Sequence, residues 1–212
     1  MKHILHIDTS TRFEDSISRL LSKHTVDSIN SHGKHKVEYL DLSVENLPHL
    51  NQDFIKARYS KESDWTLTQR KSIHKSRELI QQIKNADIII MGVAMYNFGI
   101  PSTLKAYFDH IVISGETFIS NEKEEYGLLE NKKAIIISAC GGAYDSEEIK
   151  GLDHVNPFLR TILRFIGIVD IQLIKAQSTT YFGQNARDLS VQQAINQINE
   201  YTNELKEKEP VK

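Results

Sequence analysis

The segment Asp87-Ile88-Ile89-Ile90-Met91-Gly92-Val93 is apolar and largely β-branched at successive positions, with no alternation of polar and apolar residues. A strand with one wet face alternates with period two. A run without alternation has both faces covered, as in a central strand of a parallel sheet with helices on each side. The same signature returns in Ala134-Ile135-Ile136-Ile137, in the shorter His3-Ile4-Leu5-His6-Ile7 and, more weakly, from Val169 to Ala176. Val37, Tyr39 and Leu40 mark one further strand that ends near Leu42.

Helical periodicity fills the intervals. A helix is predicted from Ser16 onward, with Asp15 or Ser16 as N-cap and Ile17, Leu20, Leu21, His24 and Thr25 as its repeating face. A short helix is expected over Asp53 to Tyr59. A long one runs over Thr68 to Asn85, with Ile73, Leu79, Ile80 and Ile83 as the apolar stripe. Others are predicted over Pro101 to Ser114, Asn156 to Ile166 and Leu189 to Lys206. Strand and helix alternate five times without a repeat or a Gly/Pro/Ser-rich linker. The class is therefore α/β, a five-stranded parallel sheet with helices on both faces, and 212 residues suit a single domain spanning 1–212.

Composition excludes several kinds of partner. A net charge of -2 offers no field for nucleic acid or an anionic membrane. No apolar stretch approaches the roughly 20 residues of a membrane span. The apolar run at the start is too short for a signal peptide, and the single cysteine, Cys140, forms no intrachain disulfide. A cytoplasmic location is expected. The nine histidines are scattered, and none has zinc-site spacing with Cys140, so no metal site is expected.

Ligands of parallel sheets bind beyond the carboxyl ends of the strands, which selects three loops. The first, Thr9 to Ser18, is rich in hydroxyls and leads into a helix. Ser10, Ser16 and Ser18 with free helix-terminal amides make an anion site, though the same residues are ordinary helix caps. It has neither the glycine spacing of a dinucleotide fingerprint nor a triphosphate-binding loop. The second, Met95-Tyr96-Asn97-Phe98-Gly99-Ile100-Pro101, puts two aromatics and an amide at the ligand edge. They receive a flat polar ligand or a partner protein, or plug the core beneath. The third, Ala139-Cys140-Gly141-Gly142, ends a strand with two glycines that bring backbone close to a ligand or simply turn the chain. Cys140 has no resolving partner in sequence and is read as an inert thiol.

Taken together, MYNFGIPSTLKAYFDHI with the following SGETF, KKAIIISACGG, and NPFLRTILRFIGI resemble the FMN-dependent NADH-azoreductase family, over nearly the whole chain. The resemblance implies a flavodoxin-like fold, bound FMN, NADH or NADPH as electron donor, and quinones or aromatic azo compounds as acceptors in a ping-pong scheme. It implies a homodimer with active sites at the interface. Ser10, Ser16, Ile17 and Ser18 match the phosphate-binding positions. Met95, Tyr96, Asn97 and Phe98 match the segment lining the isoalloxazine, and Ala139, Cys140, Gly141 and Gly142 the loop along its pyrimidine edge. Chemistry at the flavin requires no catalytic side chain. The chain departs from the family at Ala94, in place of a common proline, and at Ala139 and Cys140, in place of Ser and Arg. The acidic stretch from Thr117 to Asn131 also differs. An alternative of another class is a flavin-binding electron carrier or redox-responsive interaction protein without turnover of its own.

Overall fold

A computed structural model describes residues 1–31 and 33–207. Along the chain lie β1 (His3–Asp8), α1 (Ile17–Asn30), β2 (Lys36–Asp41), α2 (Gln52–Arg58), α3 (Leu67–Asn85), β3 (Ile88–Ala94), α4 (Ser102–Ile111), β4 (Phe118–Ser120), β5 (Glu125–Gly127), β6 (Lys133–Ala139), α5 (Val155–Phe165), β7 (Asp170–Ala176) and α6 (Gly183–Glu207). Five strands form one parallel sheet in the order β2-β1-β3-β6-β7. The order reverses direction between β1 and β3, which opens a crevice at the carboxyl edge of those strands.

The non-alternating runs have the predicted cause. In β3, Ile89, Met91 and Val93 face a core shared with Leu79 and Ile83 of α3, Tyr107 and Phe108 of α4, and Leu159 and Leu163 of α5. Ile88 and Ile90 face the other core, with Leu21 and Val26 of α1 and Ala194 and Ile198 of α6. Strand β6 divides likewise, Ala134 and Ile136 to the first side and Ile135 and Ile137 to the second. Every one of these side chains is nearly or wholly removed from water. At about 25 cal/mol per Å² of apolar surface, this two-sided burial dominates the stability of the sheet.

Helix starts follow local chemistry. The Ser16 hydroxyl accepts from the Arg19 amide as N-cap of α1. Thr66 and Gln69 form a reciprocal capping box at α3.

Two expectations are corrected, and one segment that the sequence left without an assignment proves to be a hairpin. Leu20 does not belong to the buried stripe of α1: it is 54% exposed, while Ser18 and Ser22 turn inward. The reason lies at Gly92 of β3, where a Cβ would come within 2.4 Å of Asp8 Oδ1, 2.8 Å of Ser22 Oγ and 2.9 Å of the Ser18 carbonyl oxygen. The helix sits against bare backbone there, and only small polar residues fit between. Helix α6 begins at Gly183, six residues before the predicted start at Leu189. Within the acidic stretch, β4 and β5 form an antiparallel hairpin. The hairpin is pinned where Leu129 donates to the Ile166 carbonyl at 2.8 Å, and Phe118 packs on Phe165 with centroids 4.6 Å apart. No helix among the described residues is long and apolar enough to cross a membrane.

Candidate functional site

The carboxyl edge of the sheet is a row of loops tied to one another by backbone bonds. Thr9 donates from its amide (3.1 Å) and its hydroxyl (3.0 Å) to the Gly92 carbonyl, fastening the loop after β1 to β3. Met95 donates to Ala139 at 2.9 Å, and Cys140 to Ala176 at 3.0 Å, which carries the tether across β6 to β7. The three loops singled out from sequence therefore share one ledge.

The loop after β1 is anchored from below by Arg19. Its Nε and Nη2 donate to the Ser10 carbonyl at 3.1 and 2.5 Å, and its Nη1 and Nη2 to the Asp41 carboxylate at 2.7 and 2.8 Å. Desolvation opposes ionisation of Asp41, but the Arg19 and Ser43 hydrogen bonds outweigh it and hold the carboxyl below its ordinary value. Ser10, Ser16 and Ser18 are buried, with the Ser16 and Ser18 hydroxyls 3.2 Å apart. The amides of Ile17 and Ser18 lie in the first turn of α1 and have no intrahelical acceptor. Donors concentrated at the positive end of a helix form an anion-binding cradle.

The loop after β3 is a two-residue turn. Tyr96 and Gly99 exchange amide-to-carbonyl bonds, both 3.0 Å, and Asn97 and Phe98 between them have φ of 48° and 67°. Left-handed backbone is uncommon for non-glycine residues and costly for a bulky one. The turn is held by its surroundings: the His154 amide donates to the Phe98 carbonyl at 3.1 Å, and the Phe98 ring meets Tyr144 edge-on at 6.2 Å. Asp153 caps the adjacent start of α5, accepting from the Val155 and Asn156 amides at 3.0 Å. The Asn97 side chain, exposed, makes no hydrogen bond among the described residues.

In the loop after β6, the amides of Gly141 and Gly142 have no acceptor among the described residues. Cys140 donates weakly to the Gly142 carbonyl, and burial pushes its thiol up to about 12. At neutral pH it is protonated and a poor nucleophile, as read from sequence.

One cleft is lined by Ser10, Ser16, Ile17, Ser18, Met95, Tyr96, Ala139, Cys140 and Gly141. Asn97, Phe98 and Gly142 lie on the same loops but outside that lining. The sequence reading missed the loop after β7, whose Thr179, Thr180 and Tyr181 also line the cleft, together with Arg12, Asp15 and Arg187. This loop is laced to the glycine loop: Ser178 donates to Gly142 at 2.7 Å, the Thr179 hydroxyl to Cys140 at 2.9 Å, and Tyr181 to Gly141 at 3.2 Å. A Cβ at Gly141 would lie 2.9 Å from the Tyr181 ring, so the two loops meet closely there. The rule that selected the first three loops also covers this one, because β7 ends at the same edge.

A larger cavity of about 600 Å³ lies at the opposite, amino edge of the sheet, near Asp87, Lys132 and Lys133. Lys133 pairs with Asp170, and Lys132 donates to the carbonyls of Lys84 and Ala86 at 2.7 Å. Those two cations are engaged in closing the fold, whereas at the carboxyl edge the amides of Ile17, Ser18, Gly141 and Gly142 are left as donors to a ligand.

A family profile described as Flavodoxin-like fold matches residues 2–202. The chain is 43% identical over 180 residues to an FMN-dependent NADH:quinone oxidoreductase of Nostoc punctiforme, covering 84% of this chain and 88% of the relative. It is 35% identical over 176 residues to a protein of the same name from Chromobacterium violaceum, covering 82% and 87%. Among solved structures, an FMN-dependent NADH-azoreductase from Bacillus anthracis in complex with FMN superposes with a TM-score of 0.87 at 26% identity, covering 97% of this chain and 99% of that one.

Proposed function

Because the chain belongs to the flavodoxin-like family of FMN-dependent NADH:quinone oxidoreductases and azoreductases, we propose that it binds FMN at the carboxyl edge of its sheet and passes two electrons from NADH or NADPH to quinones and aromatic azo compounds. The observation that carries this reading is the set of unused donors on one ledge: the amides of Ile17 and Ser18, the amides of Gly141 and Gly142, and the free amide of Asn97. A phosphate at one end and a flat ring with polar edges at the other satisfy such a set.

The residues divide by what they offer. Ser10, Ser16, Ile17 and Ser18 hold the phosphate through hydroxyls and helix-terminal amides. Met95, Tyr96, Asn97 and Phe98 line the ring, the strained turn presenting Asn97 outward with both a donor and an acceptor. Ala139, Cys140, Gly141 and Gly142 run along the pyrimidine edge, where the two glycine amides favour negative charge without any proton transfer. Bound FMN supplies the hydride chemistry, and the chain contributes placement and electrostatics rather than a nucleophile or an obligatory acid or base. Donor and acceptor occupy one slot in turn, a ping-pong scheme. In this reading the chain is a single cytoplasmic domain that works as a homodimer, with the second subunit completing the slot.

The test is a visible spectrum of the purified protein titrated with NADH or NADPH and then with a simple quinone. Bleaching by the donor and recovery with the quinone are expected. Absence of bound flavin after reconstitution with excess FMN would overturn the cofactor, and failure to bleach and recover would overturn the reaction.

A further inference from the structure

Arg187 brings a cation to the cleft. It lies in the second turn of α6 and lines the cleft beside Ser10 and Ser16. Its half-buried side chain makes no hydrogen bond or ion pair among the described residues. The other two charges in the lining answer each other: Arg12 donates from Nε to Asp15 Oδ1 at 3.0 Å and from a second nitrogen to Oδ2. With Arg12 and Asp15 cancelling, Arg187 leaves a net charge of about +1 in the cleft that also holds the serine hydroxyls and the helix-terminal amides.

We propose that Arg187 is the charge partner of the FMN phosphate, so that this chain selects a phosphorylated flavin by an ion pair as well as by neutral donors. The inference rests on the flavin reading and adds to it a residue from an element that the first three loops do not include. The loop from Ser178 to Tyr181, bonded to the carbonyls of Cys140, Gly141 and Gly142, ties the start of α6 to the glycine loop and so brings the helix that carries Arg187 to the cleft. The Asp15 carboxyl is held below its ordinary value chiefly by the Arg12 hydrogen bond, and the charge of Arg187 adds the smallest of the lowering contributions. A phosphate monoester carries a larger negative charge than a carboxylate near neutral pH, and its oxygens suit a guanidinium fork.

The experiment is fluorescence titration of the full-length chain, freed of flavin, with FMN and with riboflavin at low and high salt. For Arg187→Gln, FMN affinity is expected to fall by about tenfold, with riboflavin affinity unchanged and the salt dependence of FMN binding reduced. Arg187→Lys is expected to recover much of the loss. Equal losses for the two flavins, or unchanged FMN affinity, would overturn the proposal. A parent protein that binds FMN and riboflavin equally would overturn it while leaving the flavin reading intact. A parent that binds neither would overturn both.

Discussion

The Thr11 amide donates to the Tyr96 hydroxyl at 3.1 Å, and the Ser10 hydroxyl lies 3.4 Å from the same oxygen. Thr11 belongs to the loop after β1 and Tyr96 to the turn after β3, so one phenol joins the phosphate cradle to the aromatic turn. Burial opposes ionisation of Tyr96, but the hydrogen bonds from Ser10 and Thr11 and the charge of Arg12 outweigh it, and its pKa lies below the ordinary value.

Tyr96→Phe removes the shared oxygen and keeps the ring. Each lost bond is worth about 1 kcal/mol. FMN affinity is expected to drop by roughly five- to tenfold, and the thermal midpoint of the flavin-free protein to fall by a few degrees, because the bonds tie two rim loops of the folded chain together. Flavin fluorescence titration and a thermal melt of the same sample check both halves.

Phe98 presents the reverse case. Its φ of 67° costs a side-chain-bearing residue about 1 kcal/mol that glycine does not incur. Phe98→Gly is therefore expected to be more stable than Phe98→Ala by about that amount, the opposite of the order in a helix or strand. Both variants lose the ring and are expected to turn over quinone more slowly than the parent. Chemical denaturation of the pair, beside a steady-state assay, separates strain from function.

His110 on α4 supplies a pH dependence. The Pro48 carbonyl can only accept, so Nε2 carries the hydrogen of that 2.8 Å bond and Nδ1 accepts from the Ser76 hydroxyl at 2.7 Å. Desolvation holds the imidazole below its ordinary value of 6.5, against the opposing pull of the Pro48 carbonyl. The unfolded chain takes up a proton below about 6.5 that the folded chain resists. Stability from this group is complete above that pH and declines as pH falls toward the folded value. His110→Gln is expected to be less stable at pH 7.5 by about 1–2 kcal/mol, with a flatter slope between pH 7 and pH 5. Urea midpoints across that range measure it.

The legible parts of the sequence were those in which neighbouring residues act together. Isoleucines in succession, as in β3 and β6, have one structural solution, and the string from Met95 to Pro101 resembled a known ligand segment because its parts are contiguous. Leu20 was misread because inward positions on α1 are decided by Asp8 and Gly92, on other strands. There the gap admits Ser18 and Ser22 and turns the leucine out. Arg187 and Tyr181 escaped notice because their neighbours are Asp15 and Gly141, far away in sequence, and are brought near by backbone bonds without a side-chain signature. The left-handed turn was hidden for another reason: Asn-Phe is a poor sequence for it, and only bonds from Gly99 and His154 impose it.

The missing side chain at Gly92 reaches beyond packing. Since α1 rests on bare β3 backbone, the first amides of that helix take their position from the sheet and not from the loop leading into it. Phe13 and Glu14, the exposed pair beyond the Thr11–Tyr96 bonds, are thereby released from the task of aiming them. A change of charge at these two positions would retune which molecules approach the cleft and leave the cradle at the helix start in place.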